Sequence, residues 1–310
     1  MEPTATQAPR YKHYLKLVAK AALTGLALYL VYLGLDIQAL GRAMASVQWV
    51  WLIPAFLVFV LSKLFNALRL QAFFACTGMH LDTTYHIKLY LVGMFYNLFL
   101  PGGIGGDGYK VLILRKVEGT RTRDLITASL LDRVSGLVTI LFLATGTAFF
   151  SEIYVALSDL QWIFWLGVTA TFPSYALAMV LIFPKYRPVI LSSILYSLVV
   201  QILIFVAVVF ILIALNVDQY FIEYYTLFMI AVIAASLPVT IGGLGLREAA
   251  LVYLPTVIAI PVMKDTAVAL SLLFMLITVL TSLGGVLINA RTPVLKKRGE
   301  AKGPAKSSSA

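Results

Sequence analysis

The chain has one cysteine in 310 residues, Cys76, which leaves no internal disulfide and no multi-cysteine metal site. Cys76 itself reads as a small apolar packing residue. Histidine is nearly as scarce. His80 and His86 flank Asp82 in a stretch that reads as a solvated interfacial loop, and a metal centre would need more ligands. Charge is sparse too, at 12% Asp, Glu, Lys and Arg, and of one prevailing sign, with 24 basic against 14 acidic residues. No Ser/His/Asp set and no nucleotide-binding loop is present. Gly103–Gly108 matches G-x-G-x-x-G literally, but lacks the preceding strand and the later acidic residue that a dinucleotide site requires. No cofactor is expected.

What is abundant is apolar. Hydrophobic residues make up 61% of the chain, and mean hydropathy is +0.93. A soluble domain of this length cannot bury that much apolar surface, so the composition predicts an all-α polytopic membrane protein. In a soluble protein the net charge of +10 would suggest nucleic acid. In a membrane protein it reads as basic loops on the cytoplasmic side, and no nucleic acid is expected. Arg10, Lys12, Lys16 and Lys20 precede the apolar run 17–35 without a small-x-small cleavage site, which predicts a retained signal anchor.

Apolar windows long enough to cross a bilayer fall at about 17–35, 49–72, 125–150, 161–183, 189–215 and 266–290. Two further stretches, about 86–116 and 222–262, are interrupted in their middles by one decapeptide pattern. The first copy runs from Pro101 to Lys110 and the second from Pro238 to Arg247. Both read P-x-x-I-G-G-x-G-x-[K/R]. Helix breakers at matching places in two halves of a membrane protein point to a transporter-type site.

Loop charge decides between two topologies. Basic clusters lie at 10–20, 115–123, 185–187 and 291–306, and neutral or acidic loops at 36–46, 152–159 and 218–223. If both interrupted segments are re-entrant hairpins, all basic clusters share one side; if each is one kinked span, the 115–123 cluster falls on the wrong side. The positive-inside rule therefore predicts about six full spans plus two re-entrant helical hairpins in an inverted-topology repeat. The first half is about 15–150 and the second about 161–290, within one membrane domain of 15–290. Residues 1–14 read as a disordered cytoplasmic lead, and 291–310 as a flexible basic cytoplasmic tail. The predicted setting is a prokaryotic cytoplasmic (inner) membrane with both termini inside. Trp49, Trp51, Trp162 and Trp165 begin spans on the outer side, as an aromatic belt does.

The candidate site residues gather at the repeats. Gly105, Gly106, Gly242 and Gly243 permit tight turns and close approach of backbone to a ligand. Each outgoing helix would present free N–H groups and the positive end of its dipole, which favour an anion, and Lys110 and Arg247 add formal charge at the same offset. Tight packing alone is the competing reading of the glycines. Ionisable groups at bilayer depth are costly and mark sites; these are Asp107, Asp132, Arg133 and Glu248. Adjacent Asp132 and Arg133 point about 100° apart, so they cannot share one partner, and Asp107 or Lys110 is a candidate for one of them. Lys63, Asn66 and Arg69 form a polar stripe in which Arg69 is placed to snorkel towards the interface, whereas Lys63 lies too deep. Tyr96 and Asn97 are candidate cavity walls. For each charged residue a structural ion pair is the alternative.

The segments Asn97–Lys110, Leu131-Asp-Arg-Val-Ser-Gly136 and Leu237–Ala249 resemble the flippase-like family that includes the transmembrane domain of lysylphosphatidylglycerol synthase, over about 15–290. The resemblance implies a helical bundle that moves lipids between leaflets: aminoacylated phospholipids, glycolipids or polyprenyl-linked molecules. Some relatives carry a soluble aminoacyl-transfer domain, for which these 310 residues contain no stretch. The expectation is a non-enzymatic transporter of a phosphate-bearing lipid, with a lipid-modifying or envelope-biosynthesis enzyme as a candidate partner. The alternatives are a lipid transferase using Asp107 and Asp132 as general acid and base, or a non-transporting partner of such an enzyme.

Overall fold

The computed structural model describes residues 10–99, 105–236 and 245–291, and in these the chain is helical with no strand. Twelve α-helices run in order: α1 (Arg10–Gly34), α2 (Ile37–Ala45), α3 (Leu52–Ala75), α4 (Thr83–Phe99), α5 (Gly105–Glu118), α6 (Thr122–Ala148), α7 (Glu152–Ala156), α8 (Gln161–Leu181), α9 (Ile190–Ala214), α10 (Phe221–Ser236), α11 (Leu246–Ile258) and α12 (Lys264–Arg291). Five of the described helical segments are long and apolar enough to cross a membrane, or up to six if the bent pair α1–α2 counts as one span. The six apolar windows of the sequence correspond to α1, α3, α6, α8, α9 and α12. The two interrupted stretches become the consecutive pairs α4–α5 and α10–α11, and within each pair the helices pack on each other.

Two details differ from the sequence reading. Helix α1 starts at Arg10, so residues 10–14 are helical rather than part of a disordered lead. The loop expected over 36–46 holds helix α2, which departs from α1 at 83°. Asp36 explains the start of α2: its carboxylate accepts the amides of Gln38 at 2.9 Å and Ala39 at 3.0 Å, a side-chain N-cap. Those amide donors, that of Ala39 foremost, hold the Asp36 carboxyl below the ordinary aspartate range.

Packing follows a recurring scheme. Helix α3 lies along α9, while α4 packs against α12 and α10 packs against α6, so each helix pair leans on the last long helix of the other half. One core, around Phe59, Ile211, Tyr225, Phe228 and Phe274, joins α3, α9, α10 and α12. Phe274 meets Phe59 edge-on at 5.2 Å and Phe228 at 4.9 Å. A second core, around Phe73, Phe74, Leu89, Leu114, Leu125, Met179 and Tyr186, ties the end of α3 to α4, α5, α6 and α8, with Cys76 packed at its margin. Close backbone approach sets the α4–α12 contact: a Cβ on Gly285 would stand 2.6 Å from the Leu91 carbonyl oxygen. Small residues at such crossings are what helix association in lipid requires. The outer faces are correspondingly apolar, with Leu26, Leu57, Leu130, Leu166 and Leu191 exposed.

Candidate functional site

The charged residues sort into three groups. The first is built on α4–α5 and α6. Gly106 makes it possible: a Cβ there would overlap the Gly93 carbonyl of α4, so α5 reaches this close only with glycine. Asn97 closes the junction, its Oδ1 accepting the Gly106 amide at 2.8 Å. Tyr96 stacks on Tyr109 with ring centroids 4.4 Å apart. In the first turn of α5, Asp107 accepts from Lys110 Nζ at 2.7 Å and from Arg133 Nε at 2.5 Å. Lys110 is buried and stands over the Tyr90 ring at 5.0 Å, whereas the Arg133 side chain is 42% exposed. Two cations thus share one carboxylate.

The second group lies behind it. Asp132 points away from Arg133, as the 100° step demands, and accepts from Arg69 Nε at 2.7 Å. Arg69 also donates to Ser197 Oγ of α9 at 2.7 Å. Gly136 leaves room for the guanidinium, since a Cβ there would lie 3.2 Å from Nη1. Arg69 is 6% exposed, so the expected snorkelling is corrected: an internal carboxylate holds it more strongly than the interface would. Further along the same stripe Asn66 is buried, and half-buried Lys63 sets its ammonium 4.1 Å from the Phe59 ring centroid.

The third group starts α11. Gly245 takes φ +82°, the left-handed region that suits glycine, and its amide donates to Glu248 Oε2 at 3.1 Å. Arg247 donates to Glu248 Oε1 through Nη2 at 2.9 Å and Nε at 3.0 Å, and Ser271 of α12 donates to the same oxygen at 2.9 Å. Arg247 is therefore neutralised within its own turn. Gly242 and Gly243, and the prolines opening both decapeptides, lie outside the described residues.

Of the residues the sequence singled out, the structure brings Asp107, Lys110 and Arg133 together beside Gly106 and Asn97, and sets Arg247 against its neighbour Glu248. It missed Gly93, Tyr90 and Ser197. Tyr90, Gly93 and Asn97 share one helical face at i, i+3 and i+7, and Ser193, Ser197 and Gln201 share another at i, i+4 and i+8, so both signals were periodic. His86 is the other correction. It is fully buried on α4, with Nε2 2.9 Å from the Ala67 carbonyl oxygen and the ring edge-on to Phe74, because α4 begins at Thr83 and carries it inward. Exposed His80 remains outside the helix. Among the described residues no group of three or more His, Cys, Asp or Glu side chains could hold a metal.

Long apolar helices, with ion pairs buried between them, define an integral membrane protein. The chain belongs to the family described as the lysylphosphatidylglycerol synthase TM region, whose model matches residues 17–285. That membership puts it among membrane domains associated with lipid metabolism or transport. No curated protein matches the sequence.

Proposed function

We propose that this protein carries a phosphate-bearing lipid between leaflets, the headgroup crossing through a polar interior formed where the two glycine-rich tips meet. The observation that carries the reading is the triad Lys110–Asp107–Arg133, a cation-rich group set among apolar spans at the start of α5. Charge at such depth is expensive, so ionisable groups held there mark a path for a polar substrate. The loop charges and the exchanged packing of α4 on α12 and α10 on α6 support an inverted repeat with two re-entrant hairpins, the arrangement in which a midplane site is built. The acyl chains stay in lipid while the headgroup moves. Asp132 and Glu248, each already hydrogen-bonded to an arginine, balance interior charge.

The test is reconstitution. In vesicles containing the purified protein, an inner-leaflet fluorescent anionic phospholipid should become accessible to an external quencher faster than in protein-free vesicles. Lys110→Ala and Arg247→Ala should each slow that exchange, K110A more. An unchanged rate in both variants would sink the site assignment, and mass-altered lipid after incubation would favour a transferase.

A further inference from the structure

Arg133 occupies an unusual place on α6. The exposed large apolar residues of this helix, Ile126, Leu130, Val134, Leu137 and Leu141, form one stripe at i, i+4, i+8, i+11 and i+15, the face turned to lipid. Arg133 falls on that stripe. It lies about 16 Å along a helix of about 40 Å, near mid-depth. Of the triad it alone is substantially exposed: its side chain is 42% exposed, against 5% for Lys110 and 13% for Asp107. Gly108, next to Asp107, is exposed as well, with nothing within 4 Å of where a Cβ would stand, so the backbone there is open.

The second half shows that packing does not demand this arrangement. Helices α6 and α12 carry Ser-Leu-Leu at the same distance from their starts, Ser129–Leu131 and Ser271–Leu273. The next two residues are Asp132-Arg133 in α6 but Phe274-Met275 in α12. Phe274 packs on Phe59 of α3, as Asp132 pairs with Arg69 of α3. The same offset is thus apolar in α12 and charged in α6, where the two charges bond to α3 and α5 of their own half.

We propose that Arg133, steadied by Asp107, is a lateral docking site on the bilayer face of α5–α6 for the phosphodiester of an anionic membrane lipid. A guanidinium matches a phosphate bidentately. Asp107 has two cationic partners, so Arg133 can turn to a headgroup while Lys110 keeps the carboxylate neutralised. The site is one-sided, on the first half. The proposal rests on the lipid-carrier reading, but the test reads binding and does not need transport.

The full-length protein in phosphatidylcholine vesicles is photolabelled with trace phosphatidylglycerol carrying a headgroup-proximal photoreactive group, and adducts are mapped by peptide mass spectrometry. Labelling is expected on the 126–141 face of α6 and on α5. It should fall about tenfold in Arg133→Gln, since a charge-assisted pair is lost, fall less in Arg133→Lys, which keeps the charge but not the bidentate fork, and be unchanged in Lys185→Gln, a surface cation paired with Asp124 at the start of α6. Unlabelled phosphatidylglycerol should compete, and soluble glycerol phosphate at equal concentration should not. Wild-type labelling in a folded R133Q protein, or equal competition by glycerol phosphate, overturns the proposal. If labelling behaves as stated while reconstituted protein moves no lipid, the docking site stands and the carrier reading falls.

Discussion

The ion pair Arg69–Asp132 offers the sharpest energetic test. Both side chains are nearly enclosed, at 7% and 11% exposure, and Ser197 of α9 adds a hydrogen bond to the guanidinium. Asp132→Asn keeps the shape but leaves the guanidinium uncompensated, and breaking a buried pair from one side costs about 3–5 kcal/mol. At roughly 2 °C per kcal/mol for a chain of this size, that lowers the Tm by roughly 6–10 °C. The double variant Arg69→Met/Asp132→Leu removes both charges and should regain most of the loss, because an apolar pair of similar volume is often as stable as the ion pair. The assay is thermal unfolding of detergent-purified protein, followed as the surviving monodisperse fraction, with the wild type, D132N, R69M, D132L and R69M/D132L at one scan rate. If D132N shifts Tm by less than about 1 °C, or the double variant is no better than the worse single one, the pair is not the enclosed, mutually dependent unit described here.

Other expectations follow from the same geometry. Gly106→Ala should fail to form the α4–α5 pair, lowering stability by more than about 3 kcal/mol because backbone cannot yield as a side chain does, whereas Gly108→Ala, with open space around it, should be tolerated; comparing monodisperse yield and Tm checks both. Gly245→Ala places a Cβ 2.8 Å from the Ala27 Cβ and puts alanine at positive φ, so a loss of at least about 1–2 kcal/mol is expected in the same unfolding assay. Glu248→Gln should destabilise the start of α11, raising hydrogen exchange at Gly245 and in the first turn; unchanged exchange would contradict its role as the acceptor for Gly245, Arg247 and Ser271. Asp36 titrates below its ordinary range, so the capped α2 gains stability above the unfolded aspartate value and loses it as pH falls through the lowered folded value; exchange of the Gln38 and Ala39 amides should rise there, and Asp36→Ala should remove the dependence.

The helical architecture was legible because the bilayer imposes it: spans of about 20 apolar residues must satisfy their own backbone, so runs of Leu, Ile, Val and Phe read directly as α3, α6, α8, α9 and α12. The break into α4–α5 and α10–α11 was legible too, since a proline followed within seven residues by at least three glycines disfavours one continuous helix. The 100° step between neighbours foretold that Asp132 and Arg133 would part, with Asp107 or Lys110 as the partner offered for one of them; the structure gives Asp107 to Arg133. Which partner each charge takes was not legible in the same way. Arg69 could have snorkelled; only the approach of α6 and α9 to α3 gives it Asp132 and Ser197 instead. Nor could local pattern foresee that α4 turns His86 into the core, or that Gly106 rests on Gly93.

The duplicated decapeptide marks two places, and sequence makes them look equivalent: proline, paired glycines, a terminal cation at one offset. Tertiary structure separates them. Arg247 finds its carboxylate next door in Glu248, while Lys110 shares Asp107 with an arginine from another helix, leaving Arg133 partly open on the apolar face of α6. The reason is physical. Apolar periodicity and helix-breaking chemistry are local properties of the chain, so sequence alone determined that this is a helical membrane protein with two glycine-linked interruptions. Charge neutralisation depends on which helices pack together, and the packed structure alone decided where the excess positive charge resides.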